Sequence, residues 1–352
     1  MTSSSPRIGW FCTYTPLEIV DAAAINPVRI KGMDNPIKKA DTFMHPNLCP
    51  YVKGCLDWFL ENDESGFQGL VFVNSCDAMR RFHDVMQSMF PSLFLVFIDL
   101  PKRRLRSDEK HLELEFSRLM QQLKDHFQVR IGSDALEYAI VRRQRARNLL
   151  NEIAEWRMVH PGALSATDWL KICNAFCEMP VGAFIDKTER FLSEIKEAAE
   201  ISTKDEKPKV MIAGGLIHHP QIFELIESCG AMVAADDLCS GSRLFRLNVP
   251  SDGAPIERLS RAYLNKSPCP RMLCSEEYFQ AIYDLVSRSY ADGVVYHSLK
   301  FCDNTLYNVP GLKQFLKGKG IPSLFIEGEY TSGSIGQLKT RIEAFIEMID
   351  KT

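Results

Sequence analysis

Residues 291–308 read ADGVVYHSLKFCDNTLYN, and the fold follows from how that stretch divides. The β-branched run over 293–296 predicts a buried strand, which meets His297, Lys300, Cys302 and Asp303 before the chain can turn into a helix. In open α/β sheets, ligands bind in the crevice beyond the carboxyl ends of the strands. A thiol, an imidazole and an ammonium at such an end are therefore well placed for chemistry.

The same arrangement occurs far upstream. Residues 66–82, GFQGLVFVNSCDAMRRF, again give a glycine, an apolar strand, a polar bend and Cys-Asp opening a helix, so Gly69, Cys76 and Asp77 echo Gly293, Cys302 and Asp303. Before each echo stands a short strand, a loop with proline and a helix start, at 7–20 and 209–222. After each comes a strand ending in an acid, Asp99 in one case and Glu327 in the other. The pattern predicts an α/β protein with two similar Rossmann- or flavodoxin-like parallel-sheet domains, at 1–101 and 206–352, their Cys-Asp turns facing each other. Over 102–205 the strand signal disappears, and Leu112, Phe116, Leu119, Leu123 and Phe127 recur at helical spacing, which predicts a helical insert.

Of 352 residues, 45% are hydrophobic and 25% charged, the balance of an ordinary globular protein long enough for two or three domains. A net charge of -3 gives no reason to expect nucleic acid or an anionic membrane as partner. No apolar run approaches the roughly 20 residues that span a bilayer, and residues 1–6 are polar, so the expected location is the cytoplasm. The eleven cysteines are the anomaly, and an odd number without a secretion signal points to reduced thiols. Cys173, Cys177 and Cys229 lie in helix-like segments and are expected to pack as small hydrophobes. No close-spaced ferredoxin or zinc-ribbon run occurs, so local spacing alone is a weak metal signal.

Glu18, in the first turn of the helix after the first strand, either favours that helix terminus or serves as a proton-transfer carboxylate. Cys49 precedes Pro50 at the start of an apolar helix, where a helix N-terminus lowers a thiol's pKa toward the metal-binding thiolate. With Cys76 it gives the first domain two thiols at ligand positions. The basic run RRQRAR at 142–147 reads as a solvated helix face, or else a surface for phosphate or an acidic partner. SATD at 165–168 predicts a capping box, and the charged segment 204–209, with Pro208, a hinge. The loop at Gly214 and Gly215 lacks the full dinucleotide fingerprint. His218 and His219 are ligands or lead into a helix, and the loop DDLCSGSR at 236–243, after a strand at 232–235, is a site loop or an ordinary turn. Cys269, in SPCP at 267–270, reads as structural, and 327–337 offers small residues that bind an anion at a helix terminus or simply cap it.

Taken together, these residues make the chain resemble the 2-hydroxyacyl-CoA dehydratase and benzoyl-CoA reductase subunits. The resemblance runs through YTPLE at 14–18, NLCP at 47–50, SCD at 75–77, DDLCSGSR at 236–243, PCPRM at 268–272, HSLKFCD at 297–303, and Gly336 and Gln337 to Arg341. It implies two α/β domains with helical additions. It also implies a 4Fe-4S iron-sulfur cluster held by Cys49, Cys76 and Cys302 in the cleft between the domains. Three ligands leave one iron open to water or a substrate oxygen.

The implied activity is that of a lyase working anaerobically by a radical mechanism, converting a 2-hydroxyacyl-CoA to an enoyl-CoA. One electron added to the thioester carbonyl gives a ketyl radical anion, which expels the C2 hydroxyl and makes the C3 proton acidic. The implied partners are a paralogous subunit in a heterodimer, a separate ATP-dependent iron-sulfur activator and the acyl-CoA substrate; this chain has no phosphate-binding loop. His297 and Glu18 are the candidates for proton transfer, or hydrogen-bond partners of the ligands, while Lys300 and Arg341 offset negative charge or pair with surface acids. The alternatives are a benzoyl-CoA ring reductase subunit and a non-catalytic electron relay. Relatives with a double-cubane cluster carry extra cysteines, one in the loop that here reads Gly214, Gly215, Leu216. That favours a single cluster and leaves Cys239 as an additional or alternative ligand.

Overall fold

Short apolar runs bounded by glycine, proline and polar residues form the strands, and the amphipathic stretches between them form the helices. The structure is a computed structural model that describes residues 5–33, 36–62, 66–198, 207–329 and 335–350. The first lobe runs β1 (Arg7–Trp10), α1 (Leu17–Ala22), β2 (Asn26–Arg29), α2 (Pro50–Glu61), β3 (Gly69–Val73), α3 (Asp77–Met89) and β4 (Phe94–Ile98). Four helices follow, α4 (Arg106–Phe127), α5 (Ser133–Val159), α6 (Ala166–Glu178) and α7 (Val181–Ala198). The second lobe opens with β5 (Lys209–Gly214), α8 (Gln221–Ser228), β6 (Met232–Asp237), α9 (Pro255–Asn265) and α10 (Ser275–Ser289). It closes with β7 (Gly293–Leu299), α11 (Asp303–Leu306), α12 (Val309–Gly318), β8 (Ser323–Gly328) and α13 (Ile335–Asp350).

The predicted pair of parallel sheets is present. One sheet has the order β2-β1-β3-β4 and the other β6-β5-β7-β8, all parallel, so each lobe follows the same path. In each, the chain steps out from the first strand to an edge and then crosses back to the third. That reversal opens a crevice at the carboxyl ends of the first and third strands. β3 and β7 are buried along their whole length, as parallel strands covered on both faces must be. β7 extends past the expected stop at Tyr296, so His297 pairs with Ile326 inside the sheet. β2 carried no clear signal because Pro27 interrupts it; the strand lies at the sheet edge, where a missing N–H is tolerated.

The helical segment is not a separate layer. Leu112, Phe116, Leu119 and Leu123 of α4 share a core with Ile8, Val71 and Val96 of the first sheet, and Leu259 and Tyr263 of α9 close the same core. Residues 247–274, which follow β6 in sequence, therefore cross back to the first lobe. The 27-residue helix α5, about 40 Å long, contacts both lobes: Arg143 pairs with Asp21 of α1, and Arg157 Nη2 donates to Val233 O of β6 at 2.8 Å. The basic run is thus not one solvated face, since Arg143 and Arg147 are buried and paired while Arg145 meets Glu189 on the surface.

Ser165 caps α6 as the sequence predicts, its hydroxyl accepting from Asp168 N at 3.0 Å and donating to Asp168 Oδ2 at 2.9 Å. Ser165→Ala is expected to lower stability by about 1 kcal/mol, seen as a reduced urea midpoint with unchanged slope. Cys173 and Cys177 are buried in the core of α5, α6 and α7, as expected. Residues 204–206 of the predicted hinge and 330–334 of the predicted anion loop lie outside the described residues. Among the described residues, no helix is long and apolar enough to cross a membrane.

Candidate functional site

The carboxyl ends of β1, β3, β5, β6 and β7 converge between the lobes on a cavity of about 120 Å³. It is lined by six cysteines, Cys12, Cys49, Cys76, Cys239, Cys269 and Cys302. Cys49, Cys76 and Cys302 each cap the N-terminus of a helix, α2, α3 and α11 respectively. Amides left without helical partners in those first turns lie near the sulfurs. The amides of Tyr51 and Val52 lie near the Cys49 sulfur and that of Met79 near the Cys76 sulfur, each favouring the thiolate, while the Thr305 amide and hydroxyl both donate to Cys302 O at 3.1 Å. The approach to Cys302 is tight: Phe301 sits at φ +58°, in the left-handed region, and Cys302 N reaches back to Leu299 O at 3.1 Å.

The lowered thiol pKa expected at Cys49 is not found, because burial outweighs the helix terminus. Burial pushes the Cys49 thiol well up, and Cys302 and Cys76 push it further, against the smaller pull of the two amides. Burial likewise pushes Cys76 up to about 11 and raises Cys302. Burial therefore keeps the three as neutral thiols, and they would ionise together only with positive charge placed among them. Soft thiol donors and the apolar wall of Phe11, Val52, Leu216 and Leu299 suit a soft, multi-iron centre. Among the described residues, no three His, Cys, Asp or Glu side chains close round a single ion. Donors to different irons of one cluster stand farther apart than donors to one ion.

The loop at 236–243 is both a site loop and a structural one. Asp236 accepts from Ser242 N at 2.7 Å and Trp169 Nε1 at 2.7 Å, and a Cβ at Gly241 would lie 2.0 Å from Asp236 Oδ1, so only glycine fits. Gly214, at φ +130°, passes equally close to His297 O, where a Cβ would stand 1.9 Å away. Arg271 ties the crossing segment to the first lobe, donating to Asn74 O at 2.9 Å, Leu100 O at 2.9 Å and Pro101 O at 2.7 Å.

Glu18 and His297 do not line this cavity. Glu18 is fully buried, 2.5 Å from Arg147 Nη1, and accepts the Tyr263 hydroxyl at 2.8 Å. Burial alone would raise its carboxyl pKa, but the Arg147 guanidinium outweighs that and holds it low. Burial drops the His297 imidazole to about 4, so the ring is neutral at neutral pH. Lys300 pairs with Glu329 on the surface, and Arg341 donates to Phe325 O, both away from the thiols. His218 and His219 lead into α8, and His218 is buried neutral beside Tyr51, its pKa lowered by burial.

Sequence reasoning missed Cys12 and Lys266 and took Cys269 as merely structural. For Cys12 a signal existed, since it stands two residues past the end of β1, at a strand terminus like the other site thiols. Lys266 gave none: it follows α9 and reaches Thr13 O at 2.9 Å across 253 residues of sequence, its ammonium lowered to about 8 by burial.

Residues 12–349 match the family described as "2-hydroxyglutaryl-CoA dehydratase, D-component". The (R)-phenyllactyl-CoA dehydratase beta subunit of Clostridium sporogenes is 24% identical, over 97% of this chain and 91% of its own. The lactoyl-CoA dehydratase subunit beta of Anaerotignum propionicum is also 24% identical, over 97% and 91%. A benzoyl-CoA reductase subunit of Thauera aromatica is 23% identical, over 97% and 90%.

Proposed function

The chain belongs to the 2-hydroxyglutaryl-CoA dehydratase D-component family, and on that premise we propose that it is the iron-sulfur subunit of an ATP-activated 2-hydroxyacyl-CoA dehydratase. It would remove water from a 2-hydroxyacyl-CoA beside a paralogous subunit, with electrons from an ATP-dependent activator. The observation that supports this most is the convergence of Cys49, Cys76 and Cys302, from two lobes and three helix termini, on one cavity.

These three residues fit a cluster by their chemistry and are its proposed ligands. When bound, a 4Fe-4S cluster on three thiolates supplies single electrons and one iron open to a substrate oxygen. The chain's own residues prepare for it. The amides of Tyr51, Val52 and Met79 favour negative sulfur, and both donors of Thr305 fix the Cys302 backbone through its carbonyl. Phe11, Val52, Leu216 and Leu299 exclude water from the cavity wall, while Thr13, Ser75 and Asn304 bring polar groups to the same wall. In this proposal Glu18 positions Arg147 and Tyr263 rather than moving a proton, and His297 stays neutral within its sheet.

The test is anaerobic co-purification with the paralogous subunit, iron and sulfide counts, and assay with activator and ATP on a 2-hydroxyacyl-CoA and on benzoyl-CoA. Bound iron and sulfide with ATP-dependent loss of water from the first substrate are expected. Reduction of benzoyl-CoA instead, or a cluster with neither activity, overturns the reading.

A further inference from the structure

We propose that the groove between α5, residues 245–250 and α9 is a binding site for a diphosphate group, with Arg246 as its anchor. The site goes beyond the proposed dehydratase function, and its test needs neither a cluster nor activity.

The groove has a volume of about 690 Å³, within the range of pockets that hold small organic ligands. It shares no lining residue with the cavity of the thiols. Gln144, Asn148 and Asn151, spaced to fall on one face of α5, contribute side-chain amides to it. Arg246, Arg261 and Lys266 bring positive charge, and no Asp or Glu lines it.

Two of these three cations lack an acid. Arg261 is matched by Asp252 Oδ1 at 3.0 Å. The buried Lys266 ammonium bonds neutral atoms, Thr13 O at 2.9 Å, Thr13 Oγ1 at 2.8 Å and Arg243 O at 3.4 Å. Arg246 has less still: it is half-buried, and among the described residues its guanidinium has no hydrogen-bond or ion-pair partner. The carboxylates whose fields reach it are engaged elsewhere, Asp237 by Arg243, Asp236 by Trp169 and Ser242, and Glu155 by Arg288. Burial accordingly pushes the Arg246 pKa down. The contrast within the chain is sharp, because each of the seven buried arginines among the described residues holds a carboxylate or a backbone carbonyl. A desolvated charge without a partner is costly, and a bound anion would supply one.

The donors suit a diphosphate better than a lone carboxylate. A guanidinium fork takes two phosphate oxygens side by side. Asn148 accepts Gln144 Nε2 at 2.9 Å through its carbonyl, which leaves its NH2 group to donate, and among the described residues the side-chain amides of Asn151 and Asn248 have no partners. A carboxylate would occupy the fork and leave those amides and the Lys266 charge unanswered, whereas a diphosphate brings further oxygens and a second negative charge. Free nucleotides and coenzyme A both carry that group.

The experiment titrates the full chain, purified anaerobically in a phosphate-free buffer, with inorganic pyrophosphate, ADP and CoA by calorimetry at fixed ionic strength, with sulfate as the control anion. At least one diphosphate is expected to bind wild type far more tightly than sulfate does. Arg246→Met should weaken that binding at least about tenfold, the loss of a charge-assisted hydrogen bond. Asn148→Asp should weaken it too, by setting a like charge at an exposed position of α5 where folding is not at stake. ADP or CoA binding more tightly than pyrophosphate, with the same loss in the variants, supports the proposal and identifies the source of the group. No binding by any of the three, equal binding of sulfate, or diphosphate binding that is unchanged in Asn148→Asp overturns it.

Discussion

Cys302→Ser is expected to leave the chain folded and nearly free of iron, with dehydratase activity abolished, and Cys49→Ser and Cys76→Ser should do the same. Removing even a hydrogen-bond partner of a metal ligand costs about 10–100-fold in metal affinity. Loss of one of three proposed ligands should cost more, because no other thiol caps α2, α3 or α11. The fold should survive because each thiol lines the cavity at the margin of a core, and serine is close to cysteine in size. Cys173→Ser is the control: that thiol is packed against helices far from any proposed ligand role, and iron should stay at the wild-type level. Iron and sulfide analysis of anaerobically purified protein, with circular dichroism to check folding, separates the outcomes. A variant at Cys49, Cys76 or Cys302 that retains full iron removes that residue from the ligand set.

Arg147→Met is expected to destabilise the protein by about 3–5 kcal/mol at neutral pH, since it strands a buried carboxylate. Glu18 is completely buried, and Arg147 is its ion partner at 2.5 Å. In the native protein Glu18 titrates below its ordinary value, so the pair's contribution is present above the unfolded carboxyl pKa of about 4.3 and is lost as pH falls through the lower folded value. Without Arg147 the sign reverses. Burial then raises the Glu18 pKa, the native variant binds a proton more readily than the unfolded chain, and its stability grows as pH falls. The gap between variant and wild type should therefore be widest near neutrality and narrow toward pH 4.3 or so. Adding Glu18→Gln should recover much of the loss, because a neutral amide still accepts the Tyr263 hydroxyl. Urea unfolding at several pH values reads all three effects, and a gap that does not change with pH would exclude Glu18 as its source.

The sheets were legible because parallel strands buried on both faces must be continuous apolar runs, and those at 69–73 and 293–299 stand out against their glycine borders. The two Cys-Asp turns were legible for the same reason, each being a strand end followed by a helix cap. What local pattern could not reveal was pairing at a distance. The face of α9 that meets α4 has the same amphipathic spacing as any surface helix, so nothing in residues 255–265 says which lobe they cover. Arg143 and Arg147 looked like a solvated run because their partners, Asp21 and Glu18, lie more than 120 residues away in sequence. Cys269 looked structural because its neighbour Cys239 is brought to it only by the crossing segment.

That crossing segment also sets an order of events during synthesis. The apolar side of α4 made by Phe116 and Leu119 is covered by Leu259 and Tyr263, residues translated only after the first two strands of the second sheet have emerged. The N-terminal half of a nascent chain accordingly leaves the ribosome with an unfinished hydrophobic face, a state prone to aggregation until its cover arrives. A cut between the halves would leave that face of α4 without Leu259 and Tyr263.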